Sequence, residues 1–147
     1  MTSKPTEGFR FLDHVSDALI EAWGRNTQAA FAQAAMAFFD TMINLDKVEP
    51  QITDQINAEG HDEKELLYDW LESLLLKFDV AGMVYSQFTI EPIQESVGEL
   101  KLRAAVGGER YVREKHGSKV EIKGVTYHLM EMSRLPDKVM LRFLLDL

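Results

Sequence analysis

Hydrophobic periodicity predicts an α+β fold, with two helices packed on a largely antiparallel sheet. Three observations carry this expectation. Two segments repeat apolar residues at three- and four-residue steps, as a helix with one buried face requires. Most other ordered stretches alternate apolar and polar residues with a period of two, as half-buried strands do. After Gly82 every patterned segment is of the strand type, so the second half of the chain builds sheet.

Taken in order, residues 1–8 are polar and predict a flexible tail, followed by one domain over residues 9–147. Phe9–Leu12 is a short strand candidate, His14 to Ser16 a turn, and Ala18–Trp23 a second strand stopped by Gly24. Asn26 or Thr27 is placed to cap a helix whose stripe is Ala30, Phe31, Ala34, Ala35, Phe38, Met42 and Ile43. Val48 to Ala58 alternates as a half-buried strand with Pro50 near its start, and Gly60 ends it. Asp62 followed by Glu65 has the spacing of a capping box. The helix behind it carries Leu66, Leu67, Trp70, Leu71, Leu74, Leu75 and Phe78 on one face. Strands are predicted over Met83–Ile90 and Glu99–Val106, the latter stopped by Gly107-Gly108. A charged loop over 109–118 precedes strands at Val120–Met132 and Lys138–Leu145, joined by a turn at Pro136-Asp137. No internal repeat is visible in the sequence.

Composition narrows the function. An apolar fraction of 46% with 27% charged residues is that of a globular chain able to build a core. The net charge of −8 argues against a surface that grips nucleic-acid phosphates throughout, so any association with RNA is expected to be indirect, through a basic protein partner. The absence of cysteine removes disulfides, thiolate metal sites and cysteine nucleophiles. No signal-type or membrane-spanning apolar run occurs, which predicts an intracellular, cytoplasmic protein (nuclear as well, if eukaryotic) with no membrane contact. There is no phosphate-binding glycine loop, no Gly-x-Ser-x-Gly elbow and no histidine pair spaced for zinc.

The ionisable residues that invite chemistry lie at opposite ends of the chain. Asp17 follows the apolar run Phe11-Leu12, and Asp146 with the last residue Leu147 follows Val139–Leu145. If those two strands are neighbours, their carboxylates converge and suit a hard cation, calcium first, with magnesium or manganese as alternatives, and zinc less well. On the residues alone, two solvated aspartates at strand ends is the plainer account. His14 stands beside Asp13 and three residues before Asp17, where it either orients a carboxylate or serves as an ordinary turn histidine. Lys115 and His116 lie in the charged loop. Lys123 lies on the next strand, pointing outward if Val120, Ile122 and Gly124 point in. Each is a candidate contact to a partner's acidic or phosphate groups, or a solvated surface residue.

The order of these motifs resembles one known family. Phe11-Leu12-Asp13-His14-Val15-Ser16-Asp17 is similar to the His-Thr-Ala-Asp signature that opens archease proteins. Trp23-Gly24, Val48-Glu49-Pro50, Trp70-Leu71, Lys115-His116, Ile122–Tyr127 and Asp146-Leu147 continue the match to the end. The chain departs from the pattern at Val15-Ser16, usually Thr-Ala, and at Gly124, usually Ala. The resemblance implies a strand-helix-strand-strand domain with inserted elements. It also implies a divalent-metal site at Asp17, Asp146 and Leu147, and contact or activation roles for His14, Lys115, His116 and Lys123. The implied function is that of a non-catalytic cofactor of the tRNA-splicing RNA ligase, promoting its guanylylation and multiple turnover. The alternatives are a chaperone or adaptor for RNA-modifying enzymes such as tRNA methyltransferases, and a small metal-dependent hydrolase.

Overall fold

The computed structural model describes residues 6–13 and 17–147, the side chain of Asp13 excepted. The strands are β1 (Gly8–Asp13), β2 (Asp17–Gly24), β3 (Ile52–Gly60), β4 (Met83–Ile90), β5 (Gln94–Ser96), β6 (Glu99–Arg110), β7 (Gly124–Leu135) and β8 (Lys138–Asp146). The helices are α1 (Thr27–Met42), α2 (Glu63–Ala81) and the short α3 (Arg113–His116), with a 3-10 turn at Leu45–Lys47. All strand pairings are antiparallel, but they form two sheets rather than one. One has the order β1-β2-β8-β7; the other is β3-β6-β4 with β5 added against β6.

This topology contains a repeat that the sequence does not display. The unit β2–α1–β7–β8 runs strand, helix, hairpin, with its last strand paired between the other two. The unit β3–α2–β4–β6 does the same and is inserted between α1 and β7 of the first. Even the junctions match. Each first strand ends on a glycine, and two residues later comes the helix cap: Gly24 then Asn26, and Gly60 then Asp62. Asn26 Oδ1 accepts from the Ala29 amide at 2.8 Å, and Asp62 Oδ1 from the Glu65 amide at 2.9 Å. A side chain at either glycine would strike the helix: an added Cβ would lie 2.5 Å from the backbone nitrogen of Ala30 or of Leu66. The capping box is only half made, because the Glu65 carboxylate turns to His61 Nδ1 at 3.1 Å.

The helices tie the two units together. α1 packs on β2 of one sheet and β4 of the other; α2 packs on β3 and β7. Apolar residues cover α1 nearly all round, and its alanines at 30, 34, 35 and 37 let the sheets approach closely. Phe38, Phe39 and Tyr85 form an edge-to-face aromatic run in the middle. The Trp70 indole N–H donates to the Phe31 carbonyl at 3.0 Å, joining α2 to α1 inside the core.

Several boundaries differ from the sequence expectation, among them the 109–118 loop, which holds α3, and the end of β7 at Leu135. β3 starts at Ile52 because residues 45–47 form a 3-10 turn and Val48 buries its side chain beside it. β6 does not stop at Gly107-Gly108 but runs through them to Arg110. These glycines serve the ladder: they face a bulge in β4 at Tyr85–Gln87, and a Cβ on Gly108 would lie 1.9 Å from the Val84 carbonyl oxygen. Gly108→Ala is therefore expected to destabilise the fold by about 3 kcal/mol, the upper part of the range for overpacking. Gly124→Ala, with open space around it, should change stability by less than about 0.5 kcal/mol. Denaturant titration of the two variants checks this, and equal stabilities would contradict the role given to Gly108. Finally, β7 begins at Gly124 rather than Val120, so Lys123 precedes the strand; Ile122 is buried and Lys123 exposed as expected, but Val120 is exposed and Val125 buried.

Candidate functional site

The pairing of β2 with β8 sets Asp17 directly opposite Asp146. Directly opposed residues in an antiparallel pair place their Cβ atoms about 4.5–5.5 Å apart on one face. On β2 that face is opposite to α1, because Ala18, Ile20 and Ala22 are the residues buried toward the helix. Asp17 is half-buried and Asp146 exposed. Gly124 of β7 flanks Asp146 on its other side, and the amide of Lys123 donates to the Asp146 carbonyl at 2.7 Å. Three segments far apart in sequence thus meet at one sheet end: the start of β2, the end of β8 and the residue before β7. The Lys123 side chain is exposed there. Leu147 turns inward, partly buried against the core, beside a small cavity lined by Phe11, Ala18, Lys119 and Val120. His14 lies outside the described residues.

The donor set suits a hard cation in kind and falls short in number. Among the described residues no group of three or more histidines, aspartates or glutamates gathers as a metal site. Two carboxylates on an exposed strand end would form an open site, its remaining ligands coming from water, backbone oxygen or a partner.

Four residues behind Asp17 on the same face is a group the sequence analysis missed. Glu21 is 3% exposed and is held by Arg10 Nη2 at 2.8 Å and Arg142 Nη2 at 3.1 Å. Burial pushes its carboxyl upward, but hydrogen bonds from Arg142 and Arg10 outweigh that and hold it below the ordinary carboxylate value. The clamp crosses β1, β2 and β8 and fixes the register that brings Asp17 to Asp146. Its only sequence signal is a glutamate in an otherwise apolar strand.

Lys115 and His116 do not stand at this site. The His116 ring is fully buried and stacked near Tyr111. The Val112 amide donates to Nδ1 at 2.9 Å, so the neutral ring carries its proton on Nε2, which donates to Glu109 Oε2 at 3.0 Å. Lys115 Nζ is bound to Glu49 Oε1 at 2.7 Å and Glu109 Oε2 at 2.9 Å. Both residues therefore act within the chain as a clasp. It fastens the segment after β6 to the loop before β3, and His116 has no ring atom free for a partner. The motif was legible, but the partners Glu49 and Glu109 lie 66 and 6 residues from Lys115, and nothing local links them.

The clasp has a pH signature. The Glu49 amide, then Lys115 and His116, hold the Glu109 carboxyl down at about 2, against an ordinary value of 4.5. A depressed folded-state pKa gives stability that is present above the ordinary value and lost as the pH falls through the folded one. The stability deficit of Glu109→Gln should therefore be full above pH 4.5 and shrink toward pH 2. Urea titrations across that range check it; a deficit independent of pH would show that the charge contributes nothing.

The chain's kinship is decided by its whole length. The archease protein family model matches residues 9–147. The chain belongs to the archease family. The archease of Pyrococcus furiosus is 38% identical over 125 residues, covering 85% of this chain and 87% of the relative. A solution structure of a Methanobacterium thermoautotrophicum protein superposes with a TM-score of 0.81 at 32% identity, covering 95% of this chain and 99% of that one. A Thermotoga maritima archease crystal structure, described as a possible chaperone, matches with a TM-score of 0.58 at 17% identity, over 100% and 98% of the chains. At that identity it speaks for the fold alone. The archease α+β architecture is thus shared, including the two antiparallel sheets. No helix is long and apolar enough to cross a membrane, among the described residues.

Proposed function

We propose that this archease is a non-catalytic cofactor of the tRNA-splicing RNA ligase, which joins RNA ends using GTP and manganese. In this reading it promotes guanylylation of the ligase and its multiple turnover in tRNA splicing and RNA repair. The observation that supports the reading best is the opposed pair Asp17 and Asp146, held on one open sheet face beside Lys123. A bound divalent ion, with calcium favoured and magnesium or manganese as alternatives, would add positive charge where a nucleotide phosphate must be oriented. Asp17 and Asp146 would hold it, and the Leu147 end is the third candidate donor. The exposed Lys123 would meet an acidic or phosphate group of the partner. Lys115 and His116 would serve indirectly, by fixing the segment that leads to Lys123. Asp146 is exposed and Asp17 half-buried at a strand end, which fits groups offered to a partner's active site better than ones enclosing their own substrate.

Purified ligase assayed with RNA in excess, with and without the protein, tests the proposal. The expected result is one turnover or less without it and many with it, together with faster formation of guanylylated ligase. An unchanged turnover number would reject the ligase role. It would favour the adaptor reading, in which clients such as tRNA methyltransferases are bound and kept soluble.

A further inference from the structure

Away from the carboxylate pair, a second surface has features that the proposed function does not use. β7 is an edge strand, and its register with β8 breaks between Thr126 and Glu131. The extra residues push out a bulge on which Tyr127 is 50% and Leu129 51% exposed. Leu129 adopts φ 61°, a left-handed conformation that a bulky side chain rarely takes. The bulge brings Tyr127 parallel to Tyr68 of α2, with ring centroids 4.3 Å apart and planes at 9°. One side of the tyrosine pair is thus closed by stacking, while Tyr127 remains half open to solvent.

The pair borders a groove of about 350 Å³ whose other walls include Glu59, Glu65, Asp69 and Glu99. Neither lysine nor arginine lines it; basic side chains begin in the adjoining grooves, with Lys101 and Arg103 in one and Lys64 and Arg134 in the other. His61 is the single titratable base at its edge, and it is already paired with Glu65. Partial burial, and then acidic neighbours led by Glu65, push the Tyr127 hydroxyl above its ordinary range, in keeping with a negative field. The carboxylates nonetheless do not gather closely enough to form a metal site. Negative charge spread along a groove beside an open aromatic ring is complementary to a different kind of cation, one that is flat, weakly hydrated and carried on a chain. The guanidinium of arginine is that group: it stacks on aromatic rings and pairs with carboxylates through several N–H donors.

We propose that the groove between α2 and the β7 bulge docks an arginine-bearing segment of a partner protein, with one guanidinium laid against Tyr127 and paired with Glu59 or Glu99. This surface includes neither Asp17 nor Asp146, so the inference stands apart from the metal reading and its test needs no ligase. Leu129, exposed on the same bulge, supplies an apolar contact for the segment's neighbouring residues.

The test is fluorescence anisotropy with the full chain and a labelled peptide of alternating glycine and arginine, beside the same peptide with citrulline at each arginine. Citrulline keeps the shape and removes the charge. The arginine peptide should bind about tenfold more tightly than its citrulline counterpart, and Tyr127→Ala should lose about tenfold. Because Tyr127→Ala could disturb β7, the double variant Glu59→Gln/Glu99→Gln is measured as well and should lose about as much while melting like the parent. Glu114→Gln/Asp137→Gln removes the same charge from exposed positions elsewhere and should leave binding within about twofold. Equal binding of the citrulline peptide would overturn the proposal. So would an equal loss in the Glu114/Asp137 variant, which would show a general pull of an acidic protein on a basic peptide. Self-association abolished by Tyr127→Ala, without peptide binding, would assign the groove to a second copy of the chain instead.

Discussion

Trp70→Ala is expected to remove about 3–5 kcal/mol of stability, the cost of deleting a large buried aromatic side chain. Trp70 is fully buried in α2, sits edge-on to Phe88 of β4, and donates its indole N–H to the Phe31 carbonyl of α1. It therefore joins both helices to the second sheet, and no neighbour can collapse into its place without moving a helix. Against a typical domain stability of about 5–15 kcal/mol, the loss would be about a fifth of the total or more. Trp70→Phe, which keeps most of the packing but not the hydrogen bond, should cost markedly less. Denaturant midpoints read both values, with unchanged slope showing that the unfolding transition itself is preserved. A Trp70→Ala protein of native stability that failed to stimulate the ligase would move this helix face from the core to a partner interface.

Much of this core was legible because local pattern and tertiary need agree. The α2 stripe from Leu66 to Leu75 is the buried face, and both helix caps fall where Asn26 and Asp62 announce them. Asp146 was recognisable as the close of an apolar run, but Asp17 does not belong to the run Phe11-Leu12 that it follows: it opens β2, and the pairing of β2, not β1, with β8 makes the two carboxylates neighbours. What escaped the sequence depends on contacts between distant segments. Gly107-Gly108 reads as a strand stop, and only the close passage of the β4 bulge explains why glycine must continue the strand there. The doubled strand-helix-hairpin unit is hidden because its halves share backbone geometry and a Gly-x-cap junction but no side-chain pattern. His116 reads as a surface loop residue, yet Glu49 and Glu109 draw its loop into a clasp and bury the ring. Glu21 is likewise explained only by Arg10 and Arg142 arriving from neighbouring strands.

The other large effect concerns function. Under the proposed cofactor role, Asp17→Ala and Asp146→Ala should each remove most of the stimulation of the ligase while leaving the fold intact. Neither side chain belongs to the apolar core, and Asp146 stands exposed at the end of β8. If the two carboxylates serve one site, their losses will not add: the double variant should be hardly worse than either single one. Charge is the property at issue, so Asp146→Asn, close in shape, should fail nearly as badly as Asp146→Ala. Lys123→Ala should behave differently, weakening stimulation in a way that excess protein partly restores, because the proposal gives it a docking role. The most direct measurement is therefore the turnover number of the ligase with the parent protein, the two single alanine variants and the double, all shown to melt alike. The account predicts three variants equally and nearly inactive beside a parent that supports many turnovers. Variants that stimulate the ligase as the parent does would contradict it.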